Sequence, residues 1–203
     1  MLREFKIVLA STSPRRTSLL EQIGLPFEAA EPFGDESSVH PNPRMRVMEN
    51  ASAKARSVQG IRGPGVVVGA DTVVYIDGAV LGKPSSREEA GEMLRKISGR
   101  VHKVFTGVAV IDIDSGREVV RCEETMVHIM HLSGDEIARY VDSGEPMGKA
   151  GAYAIQELGA AFVDRVVGCY HNVVGLPLSL LWGMVGDMGY DLFTLWERGK
   201  VQV

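Results

Sequence analysis

Cysteine is nearly absent from this chain. Two residues in 203, Cys122 and Cys169, lie far apart with no CxxC pair. That excludes a disulfide scaffold or a zinc ribbon and fits reduced thiols in a cytosol. Long apolar runs are missing too. A membrane span needs ~18 consecutive apolar residues, and the longest candidate, 173–181, is interrupted by Gly175 and Pro177. Near the N-terminus the apolar run is confined to 7–10, too short for a secretory signal core. The expectation is a soluble, cytoplasmic protein. Positive charge is not in excess either: the formal net charge is −4, which removes any general attraction to nucleic acid polymers or anionic membranes and requires anionic partners to be bound locally.

Several catalytic signatures are also absent. There is no GxxxxGK[ST] loop, and the glycines of "GPGVVVGAD" precede the strand, where a dinucleotide fingerprint needs them after it. No GxSxG elbow supports a serine hydrolase of the usual α/β type. His128 and His131 would project from opposite faces of a strand and so share no metal. Repeats and low-complexity segments are lacking.

What remains is an ordinary globular composition, 45% hydrophobic and 24% charged. The length supports one domain over 1–203 or two intimately fused lobes. Buried-strand and helical patterns alternate: a strand over 6–10, a helix over 14–23 stopped by Gly24, a short strand over 27–30, a Pro/Gly/Ser-rich loop to Pro43, and a helix over 45–58. A strand over 66–70 ends on Asp71, Asp77-Gly78 marks a hairpin, and Ser86 with Glu89 reads as a capping box opening a helix over 87–97. Strands follow over 101–112 and 118–131, then a second capping box at Ser133 and Glu136, a glycine-rich stretch, and a last long helix starting at Pro177. The fold class is α/β, a mixed twisted sheet with flanking helices.

The most chemically suggestive segment is "LASTSPRR". Ser13 suits an N-cap and Pro14 a first helical residue, which puts Arg15 and Arg16 in the first turn, where cations oppose the helix dipole by ~0.3–1 kcal/mol each. That cost makes sense if an anion sits there, held by helix amides, guanidinium groups and the hydroxyls of Ser11 and Ser13. Arginines turned into solvent or paired with local carboxylates are the alternative. Asp71, at the carboxyl end of its strand, fits a metal ligand or a base, or equally a turn residue. Asp35-Glu36 offers oxygen ligands or a solvated acidic pair. Lys54 and Lys83 are positioned charges or surface lysines, the second flanked by Gly82 and Pro84. "KAGAYAIQ", 149–156, combines small residues with the Gln156 amide, able to read a base edge. This inventory of carboxylates and basic groups suits magnesium-assisted phosphate chemistry.

"LASTSPRR", "GADTVVYIDGAVLGKP", "MLRKISGRVHKVFTGVAV", "SGEPMGKAGAYAIQELGAAFV" and "HNVVGLPLSLL" together resemble the Maf family of nucleotide pyrophosphatases along nearly the whole chain. The resemblance implies a fold similar to the inosine triphosphate pyrophosphatases, with two lobes around a deep cleft, and commonly a homodimer. It implies hydrolysis of a nucleoside triphosphate to monophosphate and pyrophosphate with a divalent cation, Mg²⁺ or Mn²⁺. Asp71 matches the catalytic proton acceptor; Ser11, Ser13, Arg16, Glu36, Lys54 and Lys83 match positions that hold phosphates or metal, with Glu36 and Asp71 as the metal pair. Arg15, Thr72 and Gln156 match the dTTP/UTP subgroup, whereas the 7-methyl-GTP subgroup typically has glutamine and glutamate at the last two positions. Gly148 and Gly82 depart from residues frequent in the family. A non-hydrolysing nucleotide-binding regulator of cell division is the reading from another class, and the presence of Asp71, Glu36, Lys54 and Lys83 weighs against it.

Overall fold

A computed structural model describes residues 5–33, 38–58 and 60–200. The chain forms two compact units, one drawn from Met1–Asp71, Thr106–Glu123 and Gly175–Val203, the other from Thr72–Phe105 and Glu124–Val174. Seven strands make a mixed sheet: β1 (Lys6–Ala10), β2 (Glu28–Ala30), β3 (Gly65–Ile76), β4 (Ala79–Leu81), β5 (Val101–Asp112), β6 (Glu118–Ile129) and β7 (Val163–Val167). Their order is β2-β1-β3-β5-β6-β7, with β4 on β3. Among the described residues seven α-helices accompany them: α1 (Pro14–Gln22), α2 (Pro43–Ser57), α3 (Arg87–Ile97), α4 (Gly134–Asp142), α5 (Tyr170–Val174), α6 (Leu178–Asp187) and α7 (Leu192–Lys200). Among the described residues no helix is long and apolar enough to cross a membrane.

In the first unit β1 pairs in parallel with both β2 and β3. Ile7 and Leu9 face one side of the sheet and Val8 and Ala10 the other, and all four are buried, as a parallel strand covered on both faces requires. The sheet then admits α2 unusually closely. A Cβ at Gly69 on β3 would lie 2.2 Å from the Ala51 carbonyl oxygen, and one at Gly107 on β5 would lie 2.2 Å from that of Val47. Glycine at both places lets the helix backbone rest on the strands. Positions 47, 50, 51, 54 and 55 of α2 are all buried, the i, i+3, i+4, i+7, i+8 stripe of a core-facing helix. Two of these five, Asn50 and Lys54, are polar.

The hairpin is as expected: Asp77 and Gly78 both have positive φ, and Ile76 pairs with Ala79, the primed turn that matches strand twist. The Ser133–Glu136 box is complete. Other expectations need correction. β3 does not stop at Asp71 but continues to Ile76. Asn42 caps α2 through Arg44 and Met45 amides, so that helix starts at Pro43. Ser86 caps α3, but the Glu89 carboxylate accepts from the Ser85 amide and hydroxyl instead of closing the box. Pro177 is an N-cap rather than a first helical residue, and α6 is followed by α7, which the sequence pattern did not single out.

Candidate active site

The order β2-β1-β3, with all three strands parallel, means that the chain leaves β1 toward one side and later returns on the other. Open α/β sheets bind ligands at such a reversal, outside the carboxyl ends of the strands. Ala10 pairs with Gly69, so Ser11 emerges level with Ala70, and Asp71 is one residue further along the adjacent strand, ~4.8 Å away laterally. The opening of α1 and the Asp71 carboxylate therefore occupy the same end of one parallel pair.

Ser11 is buried, and its hydroxyl accepts from the Ser13 amide at 3.2 Å and from Arg16 Nη1 at 3.2 Å. Arg16 Nε donates to the Gly175 carbonyl at 2.8 Å. The guanidinium is thus folded back over the β1–α1 loop instead of reaching into solvent. Ser13 stands at the N-cap with extended backbone, but its side chain makes no capping bond, contrary to the sequence expectation. Pro14 and Arg15 complete the opening turn, with Arg15 half-buried.

Asp71 does not end its strand. It is a buried mid-strand carboxylate, 4% exposed, on the face of β3 that also carries Gly69 and therefore α2. Lys54 Nζ approaches its Oδ1 at 2.7 Å, and Asn50 Nδ2 donates to its Oδ2 at 3.0 Å. Lys54 is itself 8% exposed and also donates to the Ala70 carbonyl at 3.4 Å. Asn50 Oδ1 accepts from the Ser38 amide at 3.1 Å, so one carboxamide ties the approach to α2 to the carboxylate. Residues 50 and 54 share a helix face one turn apart, which is how a single helix supplies both partners. A buried carboxylate so paired retains lone pairs for a water or cation. Asn50 escaped the sequence reading; its signal was a polar residue inside the 47/50/51/54/55 stripe.

Glu36, the other expected metal ligand, lies outside the described residues. Among the described residues no three histidine, cysteine or acidic side chains cluster as a metal cage. Magnesium characteristically takes one or two carboxylates and completes its shell with waters and substrate phosphates. A lone buried Asp71 fits that mode of binding and not an all-protein cage.

The remaining expected residues, Thr72, Lys83 and Gln156, belong to the second unit, which begins at Thr72 directly after Asp71. Consecutive strand residues face opposite sides, so Thr72 shares its face with Val74. Onto Val74 packs Gly151: a Cβ there would lie 2.8 Å from Val74 Cγ2. The Gly151 amide donates to the Gly82 carbonyl at 3.0 Å, the residue before Lys83. Gly82 itself has open space at its Cβ position, so its backbone rather than a steric need for glycine supports Lys83, which is exposed. Gln156 is exposed beyond the buried run 151–155. Nearby, Glu145 accepts from Tyr140 at 2.8 Å and from the amides of Leu158 and Gly159 at 3.0 and 2.8 Å, while Lys149 donates to the Glu145 carbonyl at 2.7 Å. Burial and the Glu145 contact hold the Tyr140 phenol well above its ordinary range.

Comparison with known proteins agrees in kind. A family model described as "Maf-like protein" matches residues 6–188. A "dTTP/UTP pyrophosphatase" of Symbiobacterium thermophilum is 49% identical over 191 residues, covering 93% of this chain and 97% of that protein. Proteins with the same description from Pelotomaculum thermopropionicum and Caldicellulosiruptor saccharolyticus are 49% and 47% identical, each over 92% of this chain and over 98% and 96% of their own lengths.

Proposed function

The chain belongs to the Maf-like family, and from that premise we propose that it is a nucleoside triphosphate pyrophosphatase that hydrolyses dTTP and UTP to the monophosphate and pyrophosphate. The observation that carries the reading is the buried Lys54–Asp71–Asn50 cluster at the carboxyl end of the β1–β3 pair. The relatives described as dTTP/UTP pyrophosphatases support it independently.

In this mechanism the triphosphate takes its place at the opening turn of α1. The helix dipole, the Ser11 and Ser13 hydroxyls and the Arg16 guanidinium group hold its oxygens, and Lys83 adds a positive charge. Asp71 accepts a proton from a water as the water oxygen bonds to the α-phosphorus and the bond to the pyrophosphate oxygen breaks. Lys54 and Asn50, bound to its two oxygens, fix the position and plane of the Asp71 carboxylate before the transfer. A divalent cation, Mg²⁺ or Mn²⁺, held by Asp71 and Glu36 would supply charge neutralisation between the phosphates. Little covalent work falls to the protein; orientation and electrostatics lower most of the barrier. Thr72, Gln156 and Arg15 read the pyrimidine, the Gln156 carboxamide offering both a donor and an acceptor to the N3–H and O4 edge.

The family resemblance further supports a single two-lobed domain over 1–203, a homodimer, and a cytoplasmic location; light scattering tests the dimer. The deciding experiment is a panel of normal and modified nucleoside triphosphates with Mg²⁺ or Mn²⁺, scored for pyrophosphate. Preference for dTTP and UTP over 7-methyl-GTP is expected. Release of orthophosphate, or turnover of none of them, would overturn the assignment.

A further inference from the structure

The turn that leads to Gln156 is strained. Gly151 has φ +71° and Ala152 has φ +60°, two consecutive left-handed residues, the second of which carries a Cβ that disfavours this region. Such a conformation persists only where its surroundings determine it. Two backbone bonds help: the Gly151 amide to the Gly82 carbonyl and the Ala152 amide to the Lys149 carbonyl, both at 3.0 Å. The next residue, Tyr153, is buried, and its hydroxyl lies 2.9 Å from His102 Nε2, with the two rings edge to face at 5.3 Å between centroids. His102 is 1% exposed on β5, and its Nδ1 is buried with no hydrogen-bond partner among the described residues.

A side chain needed only for packing at this position would be served by phenylalanine or leucine, which strand no nitrogen in the core. The imidazole accepts an orphan Nδ1 in exchange for one bond to Tyr153. Three expected site residues depend on the segment that bond restrains. Gly151 packs on Val74, on the face of β3 that carries Thr72; it binds the carbonyl that precedes Lys83; and the chain runs from Tyr153 through buried residues to Gln156.

We propose that His102, acting through Tyr153, is a positioning residue for substrate specificity: it holds the Gly151–Ala152 turn in its left-handed form and thereby sets Lys83 and Gln156 relative to Thr72. The kinetic part rests on the dTTP/UTP reading; the conformational part does not.

Tyr153→Phe removes the bond by losing only the hydroxyl, and His102→Phe removes it with a ring of similar shape and somewhat larger volume. Hydrogen exchange of the 149–156 segment should quicken at least tenfold in both, with α3 unchanged. Measured well below the unfolding temperature, KM for dTTP should rise about tenfold with kcat within threefold, and discrimination against purine triphosphates should narrow. Adding Ala152→Gly to Tyr153→Phe, which makes the left-handed residue easy, should bring the raised KM part of the way back down. Exchange of 149–156 within twofold of wild type, a loss in kcat equal for every nucleotide, or no rescue by glycine would overturn the proposal. If the wild-type protein turns over neither dTTP nor UTP, the functional reading falls, and the exchange measurement still decides the role of His102.

Discussion

Lys54 and Asp71 in the first unit form a buried pair at 2.7 Å in which both partners are ionic, whereas His102 and Tyr153 in the second form a buried pair at 2.9 Å around an uncharged imidazole. Burial, with a smaller contribution from His128, pushes the His102 pKa down to about 4. The difference is chemical. In the proposed function phosphate transfer draws on charge kept in a dry place, which accounts for the first unit accepting the desolvation of an ion pair. Base reading, in the proposed function, draws on shape, and the second unit fixes a backbone turn by hydrogen bonds between uncharged groups.

The largest break in this comparison is Lys54→Met. It leaves Asp71 buried and unpaired, which costs about 3–5 kcal/mol of stability, and urea unfolding should show it; the Lys54→Met/Asp71→Leu double variant should recover much of that stability and none of the turnover. Asp71→Asn comes next. It should lower kcat by about 10²–10⁴-fold with KM little changed, the size of a lost general base, in steady-state pyrophosphate release. It also sets one amide NH₂ against the Asn50 Nδ2 donor, so a modest fall in melting temperature should accompany it.

Smaller still is a pH effect from the second unit. The folded His102 pKa, about 4, is below the ordinary 6.5, so the unfolded chain binds the extra proton and stability rises with pH across that window. Its contribution is complete above about pH 6.5 and is lost as pH falls toward 4. Unfolding in urea at pH 5 against pH 7 should show about 2 kcal/mol less stability, absent in His102→Phe. At the bottom of the scale, Arg100→Ala removes an exposed pair with Asp77 at 2.7 Å and should leave the melting temperature essentially unchanged, because solvent screens such contacts.

The strand–helix alternation, the Asp77-Gly78 hairpin and the Ser133 cap were legible because each depends on residues adjacent in sequence. The length of β3 was not: an aspartate after "VVVGA" reads as a terminator unless Lys54 and Asn50, which come from another element, are known to neutralise it. β7, "VDRVV", has too short an alternation to announce itself, and its place is fixed by pairing with β6. The helix start at "SPRR" was legible, yet the inward fold of Arg16 onto Ser11 and Gly175 needed the return of a segment 159 residues away. His102 gave no signal of its own inside an alternating strand; only Tyr153 across the fold makes it noteworthy.

Gly69 and Gly107 place helix carbonyls directly on the sheet. A junction made of backbone on backbone contains no rotamers to rearrange and little empty space to lose, and hydrostatic pressure unfolds proteins by eliminating such space. Compression should therefore loosen this protein elsewhere first, leaving the floor beneath Asp71 among the last parts to yield.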